Sequence, residues 1–158
     1  MLNRTYPDQD CSISRTLEVV GERWSLLILR DAFFGVRRFD EFQERLGIAR
    51  NVLAARLAHL CESGLLERRA YSERPQRFEY LLTEAGRDLG PVLLALIKWG
   101  DHHHPSPQGP PVRTLHRDCG GDVDALMHCQ ACGAHVEYAE LELVRRETGL
   151  SLELNPSR

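Results

Sequence analysis

Apolar residues in the first hundred positions recur at helical spacing, in short runs each closed by a glycine. Ile13, Leu17 and Val20 form the first stripe, and Gly21 ends it. The run from Trp24 to about Phe34 is apolar on most sides, through Leu26, Leu27, Ile28 and Leu29, so a central helix is expected there. Gly35 ends it, and Arg37-Arg38 lead into a third helix carrying Phe39, Phe42 and Leu46. Gly47 turns the chain into a fourth helix with Leu53, Leu57 and Leu60 on one stripe, stopped by Gly64. The period then shortens. Leu66–Tyr71 and Arg77–Leu82 read as two strands around the polar turn from Ser72 to Gln76. Thr83 is a candidate N-cap for a last long helix, Glu84 to about Asp101.

Gly90-Pro91 falls inside that last helix, so a kink or a restart is expected there. Beyond it, Val92 to Ile97 and Trp99 cover nearly the whole circumference. Such a helix is either fully internal or shared with a second subunit. The second reading is preferred, because a helix at the edge of a small domain cannot bury every side within its own subunit. His102-His103-His104 and a tract with four prolines in seven residues follow, a semi-rigid linker at 103–112. The three histidines read as a solvated tract, with metal binding as the competing account.

Two short helices joined at Gly47, with a β-hairpin behind them, spell a winged helix-turn-helix. With Leu53, Leu57 and Leu60 inward, Asn51, Ala54, Ala55 and Ala58 point outward. That side is small enough to press into a major groove. Arg50 and Asn51 are the base-reading candidates, since Arg pairs with guanine and Asn with adenine. Arg56 flanks the stripe within reach of a phosphate, and Arg37 and Arg38 could touch the opposite backbone. Arg68, Arg69, Arg74 and Arg77 decorate the hairpin. The competing account is a solvated face of arginines paired with nearby Glu.

Charge refines the picture. The 158 residues carry a net −3, yet residues 1–104 balance at fifteen basic and fifteen acidic, and 105–158 hold five against eight. Within 49–77, six Arg stand against three Glu, so the local excess over the reading helix and hairpin is positive.

There is no signal-peptide pattern and no apolar run approaching membrane length, so a cytoplasmic protein is expected and no membrane partner. Cysteines there are thiols or metal ligands. His116-x-x-Cys119-Gly120 and Cys129-x-x-Cys132-Gly133 are matched half-motifs, with nine residues between Cys119 and Cys129. Zinc ribbons use two such turns, so His116, Cys119, Cys129 and Cys132 read as a closed Cys3His shell for structural zinc. Free thiols, a redox pair at Cys129 and Cys132, and an iron site are the alternatives, and His128 and His135 compete for the fourth position. Cys61 reads as a small packed residue. Tyr138–Glu147 reads as a short helix and Thr148–Arg158 as a frayed tail. The fold class is therefore mainly α with a β-hairpin wing (α+β). A winged helix-turn-helix domain at 11–102 and the linker precede a zinc-ribbon-like module at 113–139 and a tail at 140–158.

Cys11, Gly21-Glu22-Arg23-Trp24, Leu27-Ile28-Leu29-Arg30, Arg38-Phe39, Phe42, Ile48, Leu53, Arg56-Leu57, Leu60, Gly64-Leu65, Glu79-Tyr80, Leu82-Thr83, Gly86 and Trp99-Gly100 fall in the order seen in HxlR-type regulators. Across about residues 11–101 the chain resembles that family. The resemblance implies a homodimeric transcriptional regulator binding a pseudo-palindromic operator in double-stranded DNA. It also implies a dimer contact through the first and last helices, here Ile13, Leu17, Val92, Leu93, Leu96 and Trp99. Cys11 sits where several relatives carry a redox-sensing thiol, while others have Cys there without that role. The family often begins its reading helix with Ser, where this chain has Ala49-Arg50-Asn51. A repressor reading its operator with helix 49–63 and gripping phosphates with the 66–82 wing is the leading expectation. Any small-molecule or redox effector stays open. The rival is a winged-helix protein-interaction module with structural zinc that binds no DNA. No paired carboxylates, Ser–His pair or phosphate-cradling loop points to an enzyme.

Overall fold

A computed structural model describes residues 11–124, 126–146, 148–149 and 151–153. The chain divides by its packing after Asp88. The first unit holds α1 (Ser12–Val20), α2 (Ser25–Phe33), α3 (Phe39–Leu46), α4 (Arg50–Glu62), β1 (Leu66–Glu73), β2 (Gln76–Leu82) and the short α5 (Glu84–Arg87). The second holds α6 (Gly90–His103), β3 (Val112–His116), β4 (Leu141–Arg145) and β5 (Ser151–Glu153). The sequence groups α6 with residues 11–102, whereas its packing groups it with the C-terminal module.

In the first unit the core is the inward side of α2, α3 and α4. Ile28, Leu29, Phe42, Leu53, Leu57 and Leu60 are all fully buried. Val20, Ile48, Leu65 and Leu66 close its edges. Gly47 adopts φ 61°, the left-handed turn that joins α3 to α4 and that a side chain would disfavour. Glu41 returns its carboxylate to the Arg38 amide at 3.2 Å, fixing the start of α3.

One buried charge was not anticipated. Asp31 is fully buried on α2, where its carboxylate meets the Arg30 guanidinium at 2.9 Å and Arg45 of α3 at 3.4 Å. An unpaired carboxylate would be costly in such an interior, so the two arginines fix the seating of α3 on α2. An Asp within an otherwise apolar helix, with Arg beside it, was the available signal.

The wing is longer than the sequence suggested. β1 and β2 pair antiparallel from Leu66–Leu82 out to Glu73–Gln76, with a bulge between Ala70 and Ser72, leaving only Arg74-Pro75 at the tip. A third segment joins the hairpin: Arg38 bridges Glu79, and the Tyr80 amide donates to the Arg37 carbonyl at 2.8 Å. Thr83 caps α5 by accepting from the Gly86 amide at 3.0 Å. The helix breaks and restarts at Gly90-Pro91 as expected, with Pro at the start of α6 where it removes no helical hydrogen bond.

The expected helix from Tyr138 onward is corrected. Only Tyr138–Glu140 forms a turn of 3-10 helix, after which Leu141–Arg145 is the middle strand of a β3-β4-β5 antiparallel sheet. Leu141 and Leu143 are buried while Glu142 between them is half-exposed, a strand alternation hidden among helix-favouring glutamates. Residues 151–153 add the third strand to what reads as tail, and 154–158 lie outside the described residues.

Truncating Leu57 to Ala is expected to destabilise the protein by about 2–5 kcal/mol, because it empties a filled core position. Ala58→Ser, one residue away on the exposed side, should stay within about 0.5 kcal/mol. Urea denaturation checks both, and equal effects would mean that α4 is not oriented as described.

Candidate nucleic-acid interface and metal centre

The geometry of α4 follows from its buried stripe. With Leu53, Leu57 and Leu60 inward, Arg50, Asn51, Ala54, Ala55 and Ala58 are exposed along the opposite side. Ala49, at the N-cap, offers the first-turn amides no side-chain acceptor. Arg50 stacks 4.7 Å over the Phe39 ring and lies 3.4 Å from Asp40, both on the first turn of α3. That pair is exposed, so it orients the guanidinium rather than holding it. Arg56 is the least free of the candidates: it is largely covered and pairs with Glu22 at 3.5 Å.

Arg37, Arg38, Arg68, Arg69, Arg74 and Arg77 are all exposed. Arg38 stacks over the Tyr71 ring at 4.9 Å, and Arg68 lies 3.5 Å over Phe78. Arg69 makes two contacts, 2.9 and 2.7 Å, to one Glu79 oxygen. The rival account of arginines paired with Glu therefore applies to Arg69 and in part to Arg56. Among the described residues, Arg74 and Arg77 near the wing tip have no side-chain partner. The aromatic supports Phe39, Tyr71 and Phe78 escaped the sequence reading, although an aromatic set beside Arg on facing strands is a usable signal.

Cys11 is exposed and caps α1, its sulfur accepting from the Ser14 amide at 3.3 Å. That hydrogen bond lowers the thiol's pKa, because it favours the thiolate. Cys61 is half-buried, and burial pushes its thiol up, as a packed residue should behave. Of the expected dimer residues, Ile13 (72% exposed), Leu17, Val92, Leu96 and Trp99 (56%) lie open, whereas Leu93 is buried. Leu93 is thus a core residue of its own chain.

In the second unit the four expected ligands converge. One donor atom from each of His116, Cys119, Cys129 and Cys132 lies within 4.8 Å of every other. His116 Nδ1 is 3.4 Å from both Cys119 and Cys132, and the Cys119 and Cys129 sulfurs are 3.4 Å apart. The half-motifs are built alike: the Gly120 amide donates to the His116 carbonyl at 2.7 Å, and Gly133 to that of Cys129 at 2.9 Å. Gly120 and Gly133 both have φ near 70°, the conformation that lets each turn fold back under its ligands. Gly121 leaves room for a sulfur, since a Cβ there would approach Cys129 Sγ to 2.6 Å. Cys129 is buried, and the Cys132 and Ala131 amides that donate to its sulfur hold its thiol down at about 6. A thiolate-rich, imidazole-completed tetrad, with no fifth donor among the described residues, fits a tetrahedral ion such as zinc. His128 and His135 face each other across a separate bridge, their rings 5.4 Å apart, and neither belongs to the tetrad.

Comparisons with known proteins agree with the helix-turn-helix part of this geometry. A profile of the HxlR-like helix-turn-helix matches residues 19–108. The HTH-type transcriptional regulator Rv3095 of Mycobacterium tuberculosis is 51% identical over 125 residues, 79% of each chain. The solved transcription factor PA1607 is 41% identical, with TM-score 0.66 over 81% of this chain and 89% of its own. The redox regulator HypR in its oxidized form is 33% identical, with TM-score 0.55 over 60% of this chain and 98% of its own.

The tetrad generates a simple expectation. Cys129→Ser should abolish stoichiometric binding of a divalent metal, read with a chromophoric chelator, while His128→Ala leaves it intact. Loss of binding in the His128 variant would mean that the ligand set is wrong.

Proposed function

We infer the function from a settled premise: the chain belongs to the HxlR-like helix-turn-helix family. Its relatives are transcriptional regulators of helix-turn-helix type, and the chain is a DNA-binding regulator rather than an enzyme. No described helix is long and apolar enough to cross a membrane. In finer terms we read it as a cytoplasmic homodimer that represses transcription from a pseudo-palindromic operator in double-stranded DNA.

The observation that carries this reading is the exposed side of α4. It combines small side chains at Ala54, Ala55 and Ala58 with Arg50 and Asn51 in the first turn. A helix of this length, about 20 Å, fits a major groove when no bulky side chain holds it off. Arg50 and Asn51 would read base edges, while the uncapped first-turn amides would donate to a phosphate. Arg37, Arg38, Arg68, Arg74 and Arg77 would grip the backbone, with Arg69 and Arg56 contributing as their Glu partners release them. Open apolar residues on α1 and α6 support pairing with a second copy through Ile13, Leu17, Val92, Leu96 and Trp99. Two copies would present two α4 helices to half-sites one helical turn apart, about 34–36 Å, or a multiple of it.

His116, Cys119, Cys129 and Cys132 would hold a structural zinc ion. The ion would supply a cross-link between the turns at 116–119 and 129–132. These residues set the two turns, and their hydrogen-bonded backbones keep the sulfurs facing inward. Cys11 is the thiol we assign to any redox response. If Cys11→Ser leaves a peroxide-induced loss of DNA binding unchanged, that role goes elsewhere.

Arg50→Ala or Asn51→Ala is expected to cost about 1–3 kcal/mol on the cognate operator and to relax sequence preference. Arg74→Ala or Arg77→Ala should weaken all DNA about equally and shallow the log–log salt slope by about 1 per subunit. Mobility-shift titrations at several salt concentrations separate the two classes. Absence of DNA affinity at low salt, with a co-purifying protein in its place, would favour the protein-interaction module.

A further inference from the structure

We propose that Tyr138 is a positioning residue that ties the metal cluster to α6, so that filling the Cys3His site strengthens pairing with a second copy of this chain. The proposal rests on the dimer reading above. It gives the C-terminal module a task that neither the family nor the metal site assigns.

One close contact ties α6 to the frame of the first knuckle. At the start of α6, Gly90 is buried, and a Cβ there would run into the hydroxyl and ring of Tyr138. The tyrosine therefore lies against the first turn of the helix in a place only glycine leaves free. Burial pushes its phenol well above its ordinary pKa, as expected of a ring withdrawn from water. Tyr138 opens the 3-10 turn that Arg117 holds: the Arg117 amide donates to the Glu140 carbonyl at 2.9 Å, and its guanidinium to Ala139 at 2.6 Å. Arg117 is the residue after His116 and lies inside the first knuckle. His116 itself pairs with Leu141, at the far end of the same turn.

Further along α6, Lys98 is half-buried, and burial lowers its ammonium's pKa against the opposing pull of Asp122, Asp101 and Asp124. Asp122 and Asp124 belong to the second knuckle's frame. The Gln130 amide donates to the Asp122 carbonyl at 2.8 Å. The Asp124 carboxylate accepts from the His128 amide at 2.9 Å and the Gln130 side chain at 3.0 Å. Residues 128 and 130 flank Cys129. The Tyr138 contact thus ends on the His116–Cys119 turn, and the Asp122 and Asp124 hydrogen bonds end on the Cys129–Cys132 turn.

The backbones of the two turns are joined by the Val123–Cys129 bridge and the Gln130 amide on the Asp122 carbonyl, and a metal would add a cross-link between their ligand ends. Without it, three thiols and an imidazole have no shared partner, and the ligand ends of the turns lose the cross-link that would set their spacing. Against the first turn's frame rests α6, whose outward side carries Val92, Leu96 and Trp99, each 45% exposed or more. Linkage makes the coupling reciprocal: if metal favours the dimer, dimerisation must tighten the metal by the same factor.

Sedimentation of the full-length protein over a concentration series, with zinc content measured on each sample, tests this. Stripping zinc with a chelator, or Cys132→Ser, should raise the dimer dissociation constant about tenfold or more. Tyr138→Ala and, separately, Gly90→Ala should keep one zinc per chain yet weaken the dimer by a similar factor, and stripping zinc from either should add little. Tyr138→Phe, which keeps the ring, should behave as the parent. Gly90→Ala changes no residue of the module's sequence and displaces the Tyr138 ring from α6, so it reads the coupling even if Tyr138→Ala does not fold. A stripped protein that dimerises as tightly as the loaded one would overturn the coupling while leaving the dimer intact. A zinc-loaded parent that stays monomeric at every concentration would overturn the dimer reading and this proposal with it.

Discussion

The burial of Leu53, Leu57 and Leu60 along one stripe of α4 is the constraint on which the rest of the first unit depends. Three leucines on successive turns, each with no exposed surface, leave the helix one rotational setting. That setting decides that Arg50, Asn51, Ala54, Ala55 and Ala58 face outward. A rotation of 100° would bury an arginine or expose a leucine, and either costs kilocalories in a domain with few to spare. The reading surface is therefore a consequence of the core.

What surrounds α4 keeps its neighbours in register. Asp31, clasped by Arg30 and Arg45, couples α3 to α2, and the left-handed Gly47 sets the angle between α3 and α4. The wing is anchored at its base by the Arg37 carbonyl and the Arg38–Glu79 bridge. The same short segment thus carries two candidate phosphate contacts and the hairpin's attachment. Stacking of Arg38, Arg50 and Arg68 on Tyr71, Phe39 and Phe78 limits the rotamers these long side chains must give up on meeting DNA.

Much of this was legible in the residues. Helical periodicity with glycine stops gave α1 to α4, and the change to a two-residue period gave the wing, because each signal is local. The Cys3His tetrad was legible for a different reason: metal coordination demands specific atoms at specific spacings, and few other uses of Cys and His repeat them. What escaped depends on tertiary contact. Asp31 finds its second arginine fourteen residues away, and the Gly90–Tyr138 contact spans nearly fifty. The β4 strand was missed although Leu141-Glu142-Leu143 alternates, because its glutamates favour helix and five residues are too few to outweigh propensity. Leu93 was assigned to the dimer face because an all-round apolar helix offers no periodicity to say which side turns inward.

The central claim is that the outward side of α4 meets base edges. A photoreactive cross-linker placed at Ala54 through Ala54→Cys, on protein bound to operator-containing duplex, tests it most directly. The account predicts cross-links to bases in the major groove of each half-site, lost when excess unlabelled operator competes. Cross-links confined to protein, or none while the complex persists, would contradict it.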